Sequence, residues 1–205
     1  AGTKTTGVVR CDQPRALGAR NRALLGLRNR HFDRAWPLKS SCPSCALPCE
    51  FEADSMTLAQ QLGELEAVVP DMIDWDGHKA AARAPDIDDL RAVSGQPDVQ
   101  SAARALAARC LSSDIDFSQA DDAAIEALGL RLESLDPAAC VSFALRCPGC
   151  AHEWTAMADV GDAVWTELQA AAERSLLEVD ALARAYGWTE EDVMRKSPTR
   201  RAAYL

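Results

Sequence analysis

The strongest apolar pattern in the chain runs through residues 159–186, where apolar side chains recur every three or four positions. This stripe consists of Val164, Leu168, Ala172, Leu176, Val179, Leu182 and Tyr186. Such spacing places the side chains on one face of a helix, because an α-helix makes one turn every 3.6 residues. Gly187 suits the left-handed position that ends many helices. The pattern therefore predicts one long helix over residues 159–186.

A short tail follows this long helix. Thr189-Glu190-Glu191-Asp192 resembles a capping box, with Asp in place of Glu or Gln, and predicts a short helix through Met194. Ser197-Pro198 then predicts a last turn, which carries Arg200, Arg201, Tyr204 and Leu205. Although these elements resemble a helix-turn-helix, the last helix is too short to read DNA convincingly.

Weaker helical patterns predict five more helices. They cover residues 17–32, 55–66, a segment that begins after Pro85-Asp86, 98–110 and 119–133. Residues 55–66 could instead be a variable insertion. Asp86 can cap the helix that it precedes. Trp36-Pro37 ends the first helical region, because proline restricts the residue before it. The arginines of the first helix are expected to form a solvated face: Arg20, Arg22, Arg28 and Arg30.

Strand-like segments are few and short. Phe51–Ala53 looks extended, and residues 72–75 and 78–84 flank Asp76-Gly77, which is a strong hairpin signal. Two further strands are predicted on either side of a cysteine pair, at Cys140–Leu145 and Glu153–Met157. The predicted fold class is α+β, mostly helical, with a small β-hairpin.

Two matching Cys-Pro-x-Cys elements lie within this pattern, at residues 42–45 and 147–150. Cysteines separated by two residues form a knuckle, and two knuckles supply four ligands for one tetrahedral Zn²⁺. The strand–knuckle–strand pattern is typical of a zinc ribbon, here built from two knuckles about a hundred residues apart. Four thiolates leave no open position for a catalytic water. The sequence therefore predicts one structural Zn²⁺ bound by Cys42, Cys45, Cys147 and Cys150.

Alternatives remain open at this site. Cys49 could replace a ligand in the first knuckle, and His152 could replace one in the second. Ala46 and Ala151 stand where glycine usually follows a knuckle, so a positive φ there would cost about 1 kcal/mol each. Cys-Pro-x-Cys also occurs in thioredoxin-type redox proteins, but there a helix follows the cysteines and activates a thiol. The extended residues around both pairs make a thiol oxidoreductase the weakest interpretation.

Composition favours helices, and no catalytic motif stands out in the sequence. Of the 205 residues, 48% are apolar and only 5% aromatic, which argues against an all-β design. No apolar run is long enough to cross a bilayer and no signal-like segment opens the sequence, which predicts a soluble intracellular protein. We find no nucleophile–base pair and no glycine-rich phosphate loop.

The charges are unevenly distributed along the chain, whose net charge is −9. Residues 1–40 carry nine Lys and Arg against two acidic residues, whereas residues 41–192 carry nine basic and twenty-nine acidic residues. This asymmetry predicts electrostatic docking within the chain or between subunits. The alternative function is a zinc-ribbon nucleic-acid-binding protein that uses the basic N-terminal segment, although the acidic body would repel phosphate.

Several stretches resemble one protein family. They are Ala23–Arg28 with Phe32 and the first knuckle, Asp76–Lys79 with Pro85–Leu90, Cys147–Trp154, Trp165–Glu167, Glu178–Ala183, Tyr186–Glu190, Ser197–Arg201 and Tyr204-Leu205. This family occurs beside contractile phage-tail-like gene clusters, and its members resemble the T-even phage baseplate hub assembly proteins. The similarity covers residues 17–205, which we take as a single zinc-stapled domain, and leaves 1–16 as an irregular arm.

The resemblance implies a non-enzymatic structural or assembly component of a contractile tail-like baseplate. Its partners would be other baseplate, spike or tube proteins, with neither a membrane nor nucleic acid involved. Its location would be cytoplasmic during assembly, and then in the particle if it is retained there. The candidate docking residues are Trp165, Trp188, Arg200, Arg201 and Tyr204.

Overall fold

The computed structural model describes residues 16–64, 71–75, 78–112, 117 and 120–205. Its helices are α1 (Leu17–His31), α2 (Ser55–Glu64), α3 (Ile87–Val93), α4 (Val99–Cys110), α5 (Asp122–Ser134), α6 (Val160–Tyr186), α7 (Glu190–Met194) and α8 (Pro198–Ala202). Its strands are β1 (Ala35–Ser41), β2 (Pro48–Asp54), β3 (Asp71–Trp75), β4 (His78–Ala82), β5 (Val141–Arg146) and β6 (Glu153–Ala158). This mixture of helices and small antiparallel hairpins confirms the α+β class.

Side-chain caps set the starts of several helices where the sequence places Asp, Ser or Thr. Asp86 accepts from two backbone N–H groups of α3 and completes a capping box with Asp89. Thr189 and Asp192 form the predicted capping box of α7. α5 begins later than predicted, because Asp121 caps it. The predicted arm of residues 1–16, apart from Ala16, and the predicted turn at 76–77 lie outside the described residues.

Strand β1 was not predicted from the sequence. Trp36-Pro37 was interpreted only as a helix stop, whereas Pro37 lies inside β1 and opposite Glu52 of β2. A two-stranded ribbon tolerates proline, because alternate N–H groups point away from the partner strand. Trp36 and Leu38 are buried and their neighbours along the strand are exposed. This alternation is the signal that could have identified the strand.

The strands form three separate two-stranded antiparallel sheets: β1–β2, β3–β4 and β5–β6. Each pairs consecutive strands of the chain, so no crossover connection is needed. The first and third hairpins meet through Phe51 and Phe143, whose ring centroids are 5.3 Å apart. These two hairpins carry the two Cys-Pro-x-Cys elements at their connecting turns.

The main apolar core lies between the second hairpin and helices α4 and α5. Its buried members are Ala80, Ala82, Ala107, Cys110, Leu111, Phe117, Ile125, Leu128, Leu132 and Leu135. Beside it, the buried carboxylate of Asp89 accepts hydrogen bonds from Arg83 and Arg109. The hydrogen bond from Arg83 is the main cause that holds the pKa of Asp89 well below its usual range. This ion-pair network links β4, α3 and α4.

Helix α1 braces the segments that lead into both cysteine-bearing hairpins. Near its start, the Gly18 N–H donates to Asp136 Oδ2 at 2.8 Å, and Asn21 Nδ2 donates to the carbonyl oxygens of Ala138 and Ala139. Ala16 gives α1 no side-chain cap. The buried carboxylate of Asp136 therefore acts as the cap from 118 residues away.

At the other end of α1, Arg28 is buried and structural. Its guanidinium donates to the carbonyl oxygens of Asp33 and Ala35 and to Ser55 Oγ, at 2.6 to 2.9 Å. It also lies 5.4 Å from the ring centroid of Trp36. The expectation of a fully solvated arginine face was therefore wrong for Arg28. A guanidinium with several carbonyl acceptors can be buried without an unpaired donor.

Within the predicted domain of residues 17–205, the structure distinguishes two compact units, the second of which is Gly161–Leu205. In this second unit, Leu182 and Val193 are fully buried. Arg201 is also buried and forms an ion pair with Glu178 at 2.8 Å. None of the helices in the described part of the chain has the length and apolarity required to cross a membrane.

The Asp136 cap can be tested with Gly18→Ala. A Cβ at position 18 would lie 2.1 Å from Asp136 Oδ1, so we expect the free energy of unfolding to fall by roughly 1–3 kcal/mol. Gly26→Ala in the same helix is the matched control. Nothing lies within 4 Å of that Cβ, and alanine there should stabilise the helix by up to about 1 kcal/mol. Urea unfolding of both variants measures the difference, and equal stabilities would contradict the role of Asp136.

Candidate metal centre

Both cysteine pairs occupy the same backbone turn. In the first, the Ala46 N–H donates to Cys42 O at 2.9 Å, and the Cys42 N–H donates to Leu47 O at 3.0 Å. In the second, Ala151 donates to Cys147 O at 3.0 Å, and Cys147 donates to His152 O at 2.8 Å. Each turn connects two antiparallel strands, so the thiols project from the tips of two hairpins.

The alanines that follow the knuckles adopt the strained, positive-φ conformation that was considered from the sequence. Ala46 and Ala151 both have a φ of 59°, whereas among the other described residues only Gly187 has a positive φ. A left-handed conformation costs an L-residue with a Cβ roughly 1–2 kcal/mol. Both turns therefore contain the same backbone strain, which indicates that the cysteine cluster depends on this turn conformation.

The four predicted cysteines converge on one point. The Sγ atoms of Cys42, Cys45, Cys147 and Cys150 all lie within 4.8 Å of one another. The Cys42–Cys150 and Cys45–Cys147 separations are both 3.6 Å. A tetrahedron with metal–sulfur bonds of 2.3 Å has edges of about 3.8 Å. The donor set can therefore bind one metal ion.

Burial alternates around the cluster. Cys42 and Cys147 are 2% exposed, whereas Cys45 and Cys150 are exposed. Trp154 packs against the buried sulfurs. The cluster thus has an apolar inner side and a solvent-facing outer side.

The surroundings shift the pKa values of the thiols in opposite directions. The Cys150 N–H, followed by the Gly149 N–H, lowers the pKa of Cys147 to about 6. For Cys45, the Leu47 N–H favours the thiolate, but proton sharing with Cys150 and Cys147 raises its pKa to about 12. The metal-free cluster therefore retains protons at neutral pH. A metal ion must displace them, so its apparent affinity should rise with pH.

Neither alternative ligand belongs to the cluster. Cys49 is buried against Cys42 and Cys147, and its thiol donates to Leu47 O at 3.5 Å. Burial is the main cause that raises its pKa. His152 is exposed, and its ring stacks on Trp154 at a centroid distance of 6.4 Å. Within the described ranges, the four thiols are the group found close enough to hold a metal ion.

The candidate docking residues have different environments. Trp165 is 59% exposed, and Arg200 and Tyr204 are also exposed. Arg201 is buried, where it pairs with Glu178 and donates to Lys196 O. These buried contacts of Arg201 therefore stabilise the C-terminal unit. Trp188 is half-buried.

The cluster of aromatic rings around Trp188 was not predicted from the sequence. Its ring stacks on Tyr186 at 4.8 Å and contacts Tyr204 edge-on at 5.0 Å. The Lys196 ammonium lies 3.9 Å from the centroid of the Trp188 ring. These contacts hold the last residues against the end of α6. Aromatic residues on both sides of a helix-ending Gly187 are the signal that could have suggested it.

Comparison of the chain with protein-family models, curated protein sequences and solved structures finds no match. The interpretation of the site therefore depends on its own geometry and on the chemistry of its donors.

The strain in the two knuckles can be measured with Ala46→Gly and Ala151→Gly. Because glycine adopts a φ near +60° without steric cost, we expect each change to stabilise the protein by about 1 kcal/mol. The control is Ala108→Gly, at an exposed position inside α4, which should destabilise it by about 1 kcal/mol. Thermal and denaturant unfolding of the metal-loaded variants would show the difference in sign. Destabilisation by all three changes would contradict the strain.

Proposed function

We propose that the chain is a non-catalytic structural or assembly protein whose fold is held by one Zn²⁺ in a zinc ribbon. The observation that supports this proposal is the convergence of four thiol sulfurs from two hairpins. Four soft thiolates in a tetrahedral arrangement are the usual donors of structural zinc in proteins.

In this proposal the chain's own groups prepare the site. The two hairpin turns present the sulfurs, and the backbone N–H groups at 149 and 150 stabilise the thiolate of Cys147. Trp154 covers the inner side. Zinc would supply a covalent-like link between segments 102 to 108 residues apart, worth several kcal/mol of folding free energy. Four protein ligands leave no position for a reacting water, so the site is structural.

The proposed partners are neighbouring proteins of a contractile phage-tail-like baseplate, including spike and tube proteins. The family resemblance of residues 17–205 supports this part of the proposal. The C-terminal unit also offers exposed groups that suit docking: Trp165, Arg200 and Tyr204. Exposed tryptophan, tyrosine and arginine dominate the energetics of many interfaces. Assembly would take place in the cytoplasm, before or as the protein enters the particle.

The alternative function, nucleic-acid binding through the basic N-terminal segment, gains no support from the described part of that segment. Arg28 is buried and bonded to carbonyl oxygens. Arg22 donates to Leu62 O. Arg34 and Lys39 pair with Asp54 and Glu50 on the neighbouring strand. These side chains therefore form hydrogen bonds and ion pairs within the protein.

The zinc assignment can be tested by metal analysis. The purified chain should contain about one zinc per molecule, and Cys147→Ser should lose the metal and unfold or aggregate. Cys49→Ser is the control, since that thiol lies outside the four-sulfur group, and it should retain the metal. Retention of full metal and full stability by Cys147→Ser would reject this site. Loss of metal from Cys49→Ser would reject this ligand set.

The partner assignment can be tested by co-purification with the tube, spike and sheath proteins of a contractile particle from the native host. If Trp165 lies at the interface, Trp165→Ala should weaken association at least roughly tenfold, as expected of a central aromatic contact. Leu130→Ala is the control, because Leu130 is similarly exposed on the other unit. Failure of the wild-type chain to associate with any of these proteins would contradict the proposal.

A further inference from the structure

The cysteine cluster pairs its sulfurs across the two hairpins. The Cys42 sulfur lies 3.6 Å from that of Cys150, and the Cys45 sulfur lies 3.6 Å from that of Cys147. Each pair contains one buried and one exposed cysteine. An oxidant in solution can therefore reach one sulfur of each pair, while the other is protected and in contact with it.

We propose that a hydroperoxide converts this cluster into two disulfides between the hairpins, Cys42–Cys150 and Cys45–Cys147. The inference rests on the proposed metal function only where it states that zinc leaves. The pairing itself follows from the positions of the thiols.

The chemistry balances with two molecules of peroxide. One thiolate of a pair attacks the peroxide O–O bond, forms a sulfenic acid and releases hydroxide. The other thiolate of that pair then attacks the sulfenic sulfur and releases a second hydroxide as the S–S bond forms. Each pair of thiolates gives up two electrons in forming its disulfide, and each peroxide accepts two. A zinc ion bound by four thiolates is released when both pairs have reacted.

Little movement is needed for this pairing. A disulfide bond is about 2.05 Å long, so each pair must close by about 1.5 Å, shared between two side chains. The contact between Phe51 and Phe143 already holds the hairpins together. Outside the four-sulfur group, the competing thiol in the described part of the chain is Cys49, which packs against Cys42 and Cys147. It is buried, however, and its thiol donates to Leu47 O, so it should stay reduced.

The consequence is that the connection between the hairpins survives loss of the metal. Disulfides within each knuckle would instead leave the hairpins unconnected once zinc had gone. The oxidised, metal-free chain should therefore unfold at a higher temperature than the reduced, metal-free chain, because the cross-links restrict the unfolded state.

The test uses the full-length, zinc-loaded chain and hydrogen peroxide added in small steps. A chromogenic chelator follows zinc release, and an alkylating reagent blocks the remaining thiols before non-reducing digestion and mass spectrometry. We expect peptides that contain residues 42 and 45 to be linked to peptides that contain 147 and 150. The number of free thiols should fall from eight to four. Disulfides confined to each knuckle, links to Cys49, or sulfinic acids without links would each overturn the proposal.

Two further experiments distinguish failure of this inference from failure of the zinc assignment. A brief peroxide treatment with dimedone, which traps sulfenic acids, should label cysteines of the four-sulfur cluster and leave Cys49 unlabelled. Label mainly on Cys49 would contradict the proposal. Peroxide treatment of the reduced, metal-free chain should give the same linked peptides. If the purified chain holds no zinc and the links still form, the zinc assignment fails and this inference stands. Cys49→Ser should leave the linked peptides unchanged.

Discussion

The convergence of two hairpin tips on one four-sulfur cluster is the constraint on which the first unit depends. The cysteines belong to segments more than a hundred residues apart, so bringing them together costs chain entropy that local structure cannot recover. Each hairpin alone has only two strands and would be marginally stable in water. A metal ion bound by the cluster would stabilise both hairpins at once, since their turns carry its sulfurs.

Helix α1 contributes to this convergence through contacts that do not involve the cysteines. Its first turns hold residues 136 to 139, just before β5 begins at Val141, through Asp136 and two backbone carbonyl groups. Its last turn holds Asp33 and Ala35, at the start of β1, through Arg28. One rigid helix therefore fixes the first strand of each cysteine-bearing hairpin. A metal ion would then have to connect only the tips.

The sequence predicted what depends on local pattern, and missed what depends on distant contacts. Periodicity located the helices, and cysteine spacing located the four sulfurs. β1 was missed because Pro37 was interpreted only as a helix stop, although Trp36 and Leu38 alternate with exposed residues. The roles of Gly18 and Arg28 were not predictable, because each depends on a partner that the fold alone supplies. The docking partner lies outside what either pattern or packing encodes.

The two knuckles are equivalent halves of one approximately symmetric object. Their backbone hydrogen bonds match, their alanines share a φ of 59°, and their buried and exposed cysteines occur in the same order. Exchanging the hairpins converts the Cys42–Cys150 contact into the Cys147–Cys45 contact. The four sulfurs and the turns that present them thus come from one strand–knuckle–strand arrangement used twice. The halves differ just beyond the turns, where Cys49 packs at the cluster in the first hairpin and Trp154 in the second, so the approximate two-fold relation is confined to the sulfurs and their turns.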